Sequence, residues 1–192
     1  MLGLKDVTQR SVVGAYSLLM ELEESAADMR EFRFGFVVPT PGVAACVLRC
    51  VAAWPRLRVL GVRWPARMVF RKLIGMTAQA SELEELTLQC VRVTDAECPA
   101  AQPLPLLTKV VLRDVECSLQ GECALGAWLE EMSALRVLQV SGMHAGHTEG
   151  TNTHIGCMFE KLTGLTSLQE LRVNASVCDL YTQSASRSAC GC

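Results

Sequence analysis

His144, His147, Glu149 and His154 fall close together in a Gly-, Thr- and Asn-rich stretch, and imidazole nitrogens with a carboxylate are suitable ligands for zinc. Cys178, Cys190 and Cys192 gather near the end of the sequence, the last two as C-x-C, and thiolates could join such a site. These residues support one reading of the chain, a thiol- or metal-dependent protein using the His144 to His154 loop or the terminal cysteines. The plainer reading of the same stretch is a surface loop in the longest interval between apolar motifs, so no metal ligand is assigned. Glu84-Glu85 and Glu130-Glu131 are paired carboxylates, but sequence neighbours do not converge on one substrate atom, and they read as solvated charge. The spacings G-x-G-x-x-G, G-x-x-x-x-G-K, H-E-x-x-H and G-x-S-x-G do not occur. No catalytic residue and no cofactor is therefore assigned, and the expectation is a protein that is not an enzyme.

Composition narrows the class further. The 192 residues, 50% hydrophobic and 20% charged, are enough for one domain with a sizeable core. A net charge of -2 and a pI near 5.9 lack the basic excess of a nucleic-acid binder or membrane-surface protein, so neither partner is expected. The apolar run Val12 to Met20 is flanked by Asp6, Glu21, Glu23 and Glu24, which does not read as a signal peptide. Phe34 to Leu48 is interrupted by Pro39 and Pro41, too short and broken to span a bilayer. A cytoplasmic location follows as the expectation, with the ten cysteines reduced and residues such as Cys46 and Cys50 acting as small core hydrophobes. Asn174-Ala175-Ser176 matches the glycosylation acceptor pattern but reads as chance without a secretory signal.

The elements that must position any site are written in a repeat. Leu83-x-x-Leu86-x-Leu88 has copies at Met29-x-x-Phe32-x-Phe34, Leu57-x-x-Leu60-x-Val62, Leu107-x-x-Val110-x-Leu112, Leu135-x-x-Leu138-x-Val140 and Leu168-x-x-Leu171-x-Val173. Their first residues are 28, 26, 24, 28 and 33 apart, the self-similarity of a solenoid. Between them run helical stripes. Val13, Tyr16 and Met20 predict a helix within Thr8 to Asp28; Val43, Val47, Cys50 and Trp54 predict one ending at Pro55; Val69, Leu73 and Met76 predict a third. Pro99, Pro103 and Pro105 predict an irregular connection in the next unit. Leu125, Trp128, Leu129 and Met132, then Ile155, Met158, Phe159 and Leu162, give two further helices in the same phase to the following strand. One apolar strand edge and one helical stripe cannot be buried within a single unit, so the units must stack. The fold class expected is α/β, a solenoid with a curved parallel sheet on the concave side and helices on the convex side. Leu60, Leu86, Val110, Leu138 and Leu171 should form one buried column. The division expected is 1–28 as the N-terminal helix of an incomplete repeat, 29–177 as an arc of about six strands, and 178–192 as an irregular tail.

These motifs resemble leucine-rich-repeat proteins, most nearly the ribonuclease-inhibitor-like type, whose longer repeats carry a helix on the convex face. The resemblance covers about Met29 to Val173. It departs at the ninth repeat position, where the family's Asn or Cys is Val37, Pro65, Val91, Val115, Met143 and Ser176, so less regular turns are expected after the strands. Nothing polar closes the end after Val173, and more repeats or a capping partner would be needed there. The terminal Cys190-Gly191-Cys192 is similar to the prenylated tails of Rab-type GTPases, but only over those residues.

What the resemblance implies is a non-catalytic protein-protein interaction module binding a partner through its concave face. Positions two, three, five, seven and eight of the strands hold eight basic residues, Arg30, Arg33, Arg58, Arg63, Lys109, Arg113, Arg136 and Arg172. Five acidic residues, Glu31, Glu84, Glu85, Asp114 and Glu170, share those positions, leaving the face at +3. The protein partner expected is thus acidic. Its candidate binding residues are Arg33, Arg58, Arg63, Trp64, Thr87, Gln89, Arg113, Gln139 and Arg172, with Trp64 the candidate aromatic anchor.

Overall fold

Each L-x-x-L-x-L motif begins a strand at its third residue. In a computed structural model that describes residues 17, 19–21, 28–35, 41–69, 75, 80–93, 104–145 and 156–174, the elements run β1 (Glu31–Gly35), α1 (Pro41–Ala53), β2 (Val59–Val69), β3 (Glu85–Val93), β4 (Lys109–Cys117), α2 (Leu119–Glu130), β5 (Val137–Ala145), α3 (Gly156–Leu162) and β6 (Glu170–Asn174). The six strands form one sheet in the order β1-β2-β3-β4-β5-β6, every neighbouring pair parallel. Residues 18, 22–27, 36–40 and 70–74 lie outside what is described, as does most of the expected first helix, although Ser17 and Leu19 to Glu21 are helical. Val69, expected on a helix, ends β2 instead.

The phase of the repeat is fixed by two recurring sets of backbone bonds. Before each of the last five strands the chain closes the same tight turn: Leu57 N–H to Trp54 O, Leu83 to Ala80, Leu107 to Leu104, Leu135 to Met132 and Leu168 to Leu165, at 3.0 to 3.2 Å. At the second motif position one carbonyl then accepts two N–H groups of the next strand. Arg30 O takes those of Arg58 and Val59, Arg58 O those of Glu84 and Glu85, and the pattern continues through Glu84, Thr108 and Arg136. The turn residues Trp54, Ala80, Leu104, Met132 and Leu165 are buried, which is why apolar residues step by three into each strand.

The core is one cluster joining fourth- and sixth-position strand residues to the helical stripes. At its first-repeat end Trp54 packs edge-on to Phe32 at 4.9 Å between ring centroids, and Phe32 stacks on Phe34 at 5.8 Å. Cys50 Sγ reaches Leu19 O at 3.2 Å, tying α1 to the helical residues before β1. Farther along, Ser118 caps α2, its Oγ accepting from Gly121 N–H at 3.0 Å while its own N–H donates to Val93 O at 3.0 Å. Only glycine fits at 121, since a Cβ there would stand 2.2 Å from Val93 O. The next residue, Glu122, is 4% exposed, its Oε1 has no hydrogen-bond partner among the described residues, and desolvation pushes its carboxyl up to about 7. Cys46, Cys50, Cys90 and Cys117 are in no disulfide, whereas Cys123 is disulfide-bonded, against the expectation of reduced cysteines.

The strands do not stop at the sheet's first segment. At the eighth repeat position Cys90, Asp114 and Gly142 have φ of 62°, 52° and 65°, and the register resumes on both sides of each. A left-handed residue inserted into a strand shifts its alternation by one. Fourth and sixth positions point inward before the kink; the ninth, Val91, Val115 and Met143, packs inward after it. The apolar ninth residues therefore fill the core where the resembled family places a polar ladder, and the path after the strand is regular across three repeats. In β2 the kink is wider, because Arg63 pairs with Gln89 but the next pair is Met68 with Val91. Cys90→Gly should raise stability by about 0.5 to 1 kcal/mol, since a side chain is strained there. Gly142→Ala should lower it by about 1 to 2 kcal/mol, its Cβ meeting Asp114 Oδ1 at 2.9 Å. Paired urea titrations check these opposite signs; the same sign for both would contradict the kink.

Candidate interaction face

The face of the sheet turned away from the core is a grid whose rows are set by strand register. One row reads Arg33, Gly61, Thr87, Val111, Gln139, Arg172, and the next Gly35, Arg63, Gln89, Arg113, Ser141, Asn174. Strands about 4.8 Å apart hold these columns at fixed spacing, so Arg63 and Arg113 are separated by about 10 Å with Gln89 between them, and Arg33 and Arg172 by about 24 Å.

The cations on this grid are of two kinds. Arg33 Nε donates to Glu31 at 2.7 Å and Arg172 Nε pairs with Glu170 at 2.8 Å, each within its own strand. Arg58 donates to Glu84 of the next strand's approach, from Nε at 2.9 Å and also from Nη2, and that hydrogen-bonded carboxylate raises the guanidinium pKa. Lys109 Nζ reaches Glu85 at 3.3 Å. Neutral donors are stitched likewise: Gln89 Nε2 donates to Asp114 Oδ2 at 2.7 Å and Gln139 Nε2 to Glu170 Oε1 at 2.9 Å. Arg30, Arg63, Arg113 and Arg136 are exposed, and no ion pair holds them among the described residues.

The expected binding residues thus separate. Arg33 and Arg172 stand on the grid and Arg58 just before β2, each with a carboxylate already beside it. Thr87, Gln89 and Gln139 are half-buried between neighbours. Arg63 and Arg113 share a row and project to solvent. Trp64 lies in the backbone of β2, its side chain outside what is described. Charge counting missed the apolar members of the grid. Val111, only 5% exposed, occupies the centre of its row, with Val59 and Val137 half-buried in the row before; their fifth- and third-position spacing was the signal that could have found them.

Residues 146–155 and 175–192, which carry His147, Glu149, His154 and the terminal cysteines, lie outside what is described, as does the side chain of His144. Among the described residues no group of three or more His, Cys, Asp or Glu could hold a metal, and no helix is long and apolar enough to cross a membrane.

No protein-family model matches the sequence, and no curated protein does. Solved structures similar to it include leiomodin-1 actin-binding site 2, at 12% identity and a TM-score of 0.47, covering 94% of this chain and 93% of that one. The Caenorhabditis elegans tropomodulin C-terminal domain is similar at 12% identity and a TM-score of 0.46, covering 91% of this chain and 90% of that one.

Proposed function

We propose that the chain is a non-catalytic protein-interaction module of the ribonuclease-inhibitor-like repeat type, which binds an acidic protein partner through the concave side of a curved sheet. The observation that carries this reading is the row Arg63, Gln89, Arg113. Two exposed guanidiniums held by no ion pair among the described residues stand at a spacing fixed by the sheet, with the Asp114 carboxylate hydrogen-bonded to Gln89 between them. A partner meeting them orders no backbone on this side, so little binding energy is lost to pre-organisation. Val111 in the adjacent row, with Val59 and Val137 in the row beyond it, adds an apolar floor. Four of the other basic residues spend their charge on neighbours, which concentrates the steering field at the unpaired ones.

The test is capture of partners from cell extract by wild-type and charge-reversed chains. Arg63→Glu with Arg113→Glu is expected to abolish capture and to slow association at low salt by at least about tenfold. Arg33→Glu with Arg172→Glu should weaken it less, since exposed paired charges contribute roughly 0 to 1 kcal/mol each. Full retention of every wild-type partner by the first double variant would move the binding surface to the helices or an edge.

A further inference from the structure

The last strand leaves a core position uncovered. Phe32, Leu60, Leu86, Val110 and Leu138 stand in register and are 0 to 2% exposed, whereas Leu171, the next member of that column, is 44% exposed. The expected buried column therefore ends at Leu138. Among the described residues no strand pairs with the far side of β6. Glu170 N–H donates inward to Arg136 O at 2.9 Å, and inward and outward bonding alternate along a parallel strand. The N–H and C=O of Leu171 and Val173 accordingly point to the open side, beside an exposed leucine.

We propose that this edge is completed by β6 of a second copy of the chain, running antiparallel and centred on Leu171. Symmetry selects the direction. A two-fold axis that keeps both core faces on one side of a continuous sheet makes the paired strands antiparallel, and a parallel pair would turn one Leu171 to the open face. Chemistry selects the register. Centring on Leu171 lets the two leucines exchange both backbone hydrogen bonds and sets Glu170 opposite Arg172 of the other copy, twice. Centring on Glu170 or Arg172 would oppose like charges instead. The pair Glu170–Arg172, joined at 2.8 Å within one strand, is thus re-formed across the interface without an uncompensated charge. Two copies so joined turn their open faces the same way, and this assembly stands whether or not the concave reading does.

The full-length chain is tested by light scattering coupled to size exclusion over a concentration series, with far-ultraviolet circular dichroism to monitor folding. Wild type is expected at about twice the 20.9 kDa of one chain. Arg172→Glu, which opposes two carboxylate pairs, is expected at the single-chain mass, and Glu170→Arg with Arg172→Glu is expected to return to the double mass. Leu171→Lys should also be monomeric. A wild type that stays monomeric at the highest concentration, as it would if residues 175–192 covered the edge, overturns the proposal. So does a folded Arg172→Glu variant that still dimerises, or a charge swap that fails to restore the dimer.

Discussion

Leu86→Ala is expected to lower the free energy of unfolding by about 2 to 5 kcal/mol. Leu86 is 0% exposed and stands in register between Leu60 and Val110. β3 is hydrogen-bonded on both sides, so the backbone around the vacated volume cannot close in from either neighbour, and the cavity cost adds to the lost transfer energy. The same substitution at Leu171, on the edge and 44% exposed, should cost about 1 kcal/mol or less in the monomer, because much of that side chain already meets water. Urea denaturation of the two variants, at a concentration where the chain is monomeric, checks the difference. Equal losses would mean that the strands do not stack in the order described.

Glu122→Gln is expected to change how stability depends on pH. Glu122 is buried near the start of α2, its Oε1 without a partner among the described residues, and desolvation pushes its carboxyl from the ordinary 4.5 up to about 7. A folded-state pKa above the unfolded one means that the folded chain holds the proton more tightly. Its contribution is fully present below 4.5 and is lost as pH rises through about 7. Glutamine keeps the shape and has no proton to lose. At pH 4 wild type and variant should match closely, whereas at pH 8 the variant should be more stable by on the order of 2 to 3 kcal/mol. The measurement is the difference in unfolding free energy across this range, which cancels every other titrating group. A difference independent of pH would show that the Glu122 carboxyl binds its proton equally well in the folded and unfolded chain.

The strands were legible because their determinant is local: an apolar residue at the first, fourth and sixth positions, with the turn three residues earlier filled by Trp54, Ala80, Leu104, Met132 or Leu165. The helices ending at Ala53 and Glu130 were legible for the same reason, each closing at or near a buried residue of that turn. The kink was not legible. Nothing in Val91, Val115 or Met143 announces that a left-handed residue before them reverses the alternation, since Cys90 and Asp114 are not the glycines such a backbone usually carries. Sequence also placed all eight cations on one face but could not pair them. Arg33 and Arg172 find a carboxylate two residues away, while Arg58 and Lys109 find theirs on the next strand, which depends on register. Glu122, an acid in the first turn of α2, is buried where Gly121 brings the helix against the end of β3.

The claim that the open sheet face is the binding surface is tested most directly by photo-crosslinking from single positions. A photoreactive amino acid at Thr87, in the central row between Gly61 and Val111, is expected to cross-link the captured partner. The same amino acid at Ala127, exposed on α2, is expected to leave the partner unlinked. Cross-linking from Ala127 with none from Thr87 would contradict the account.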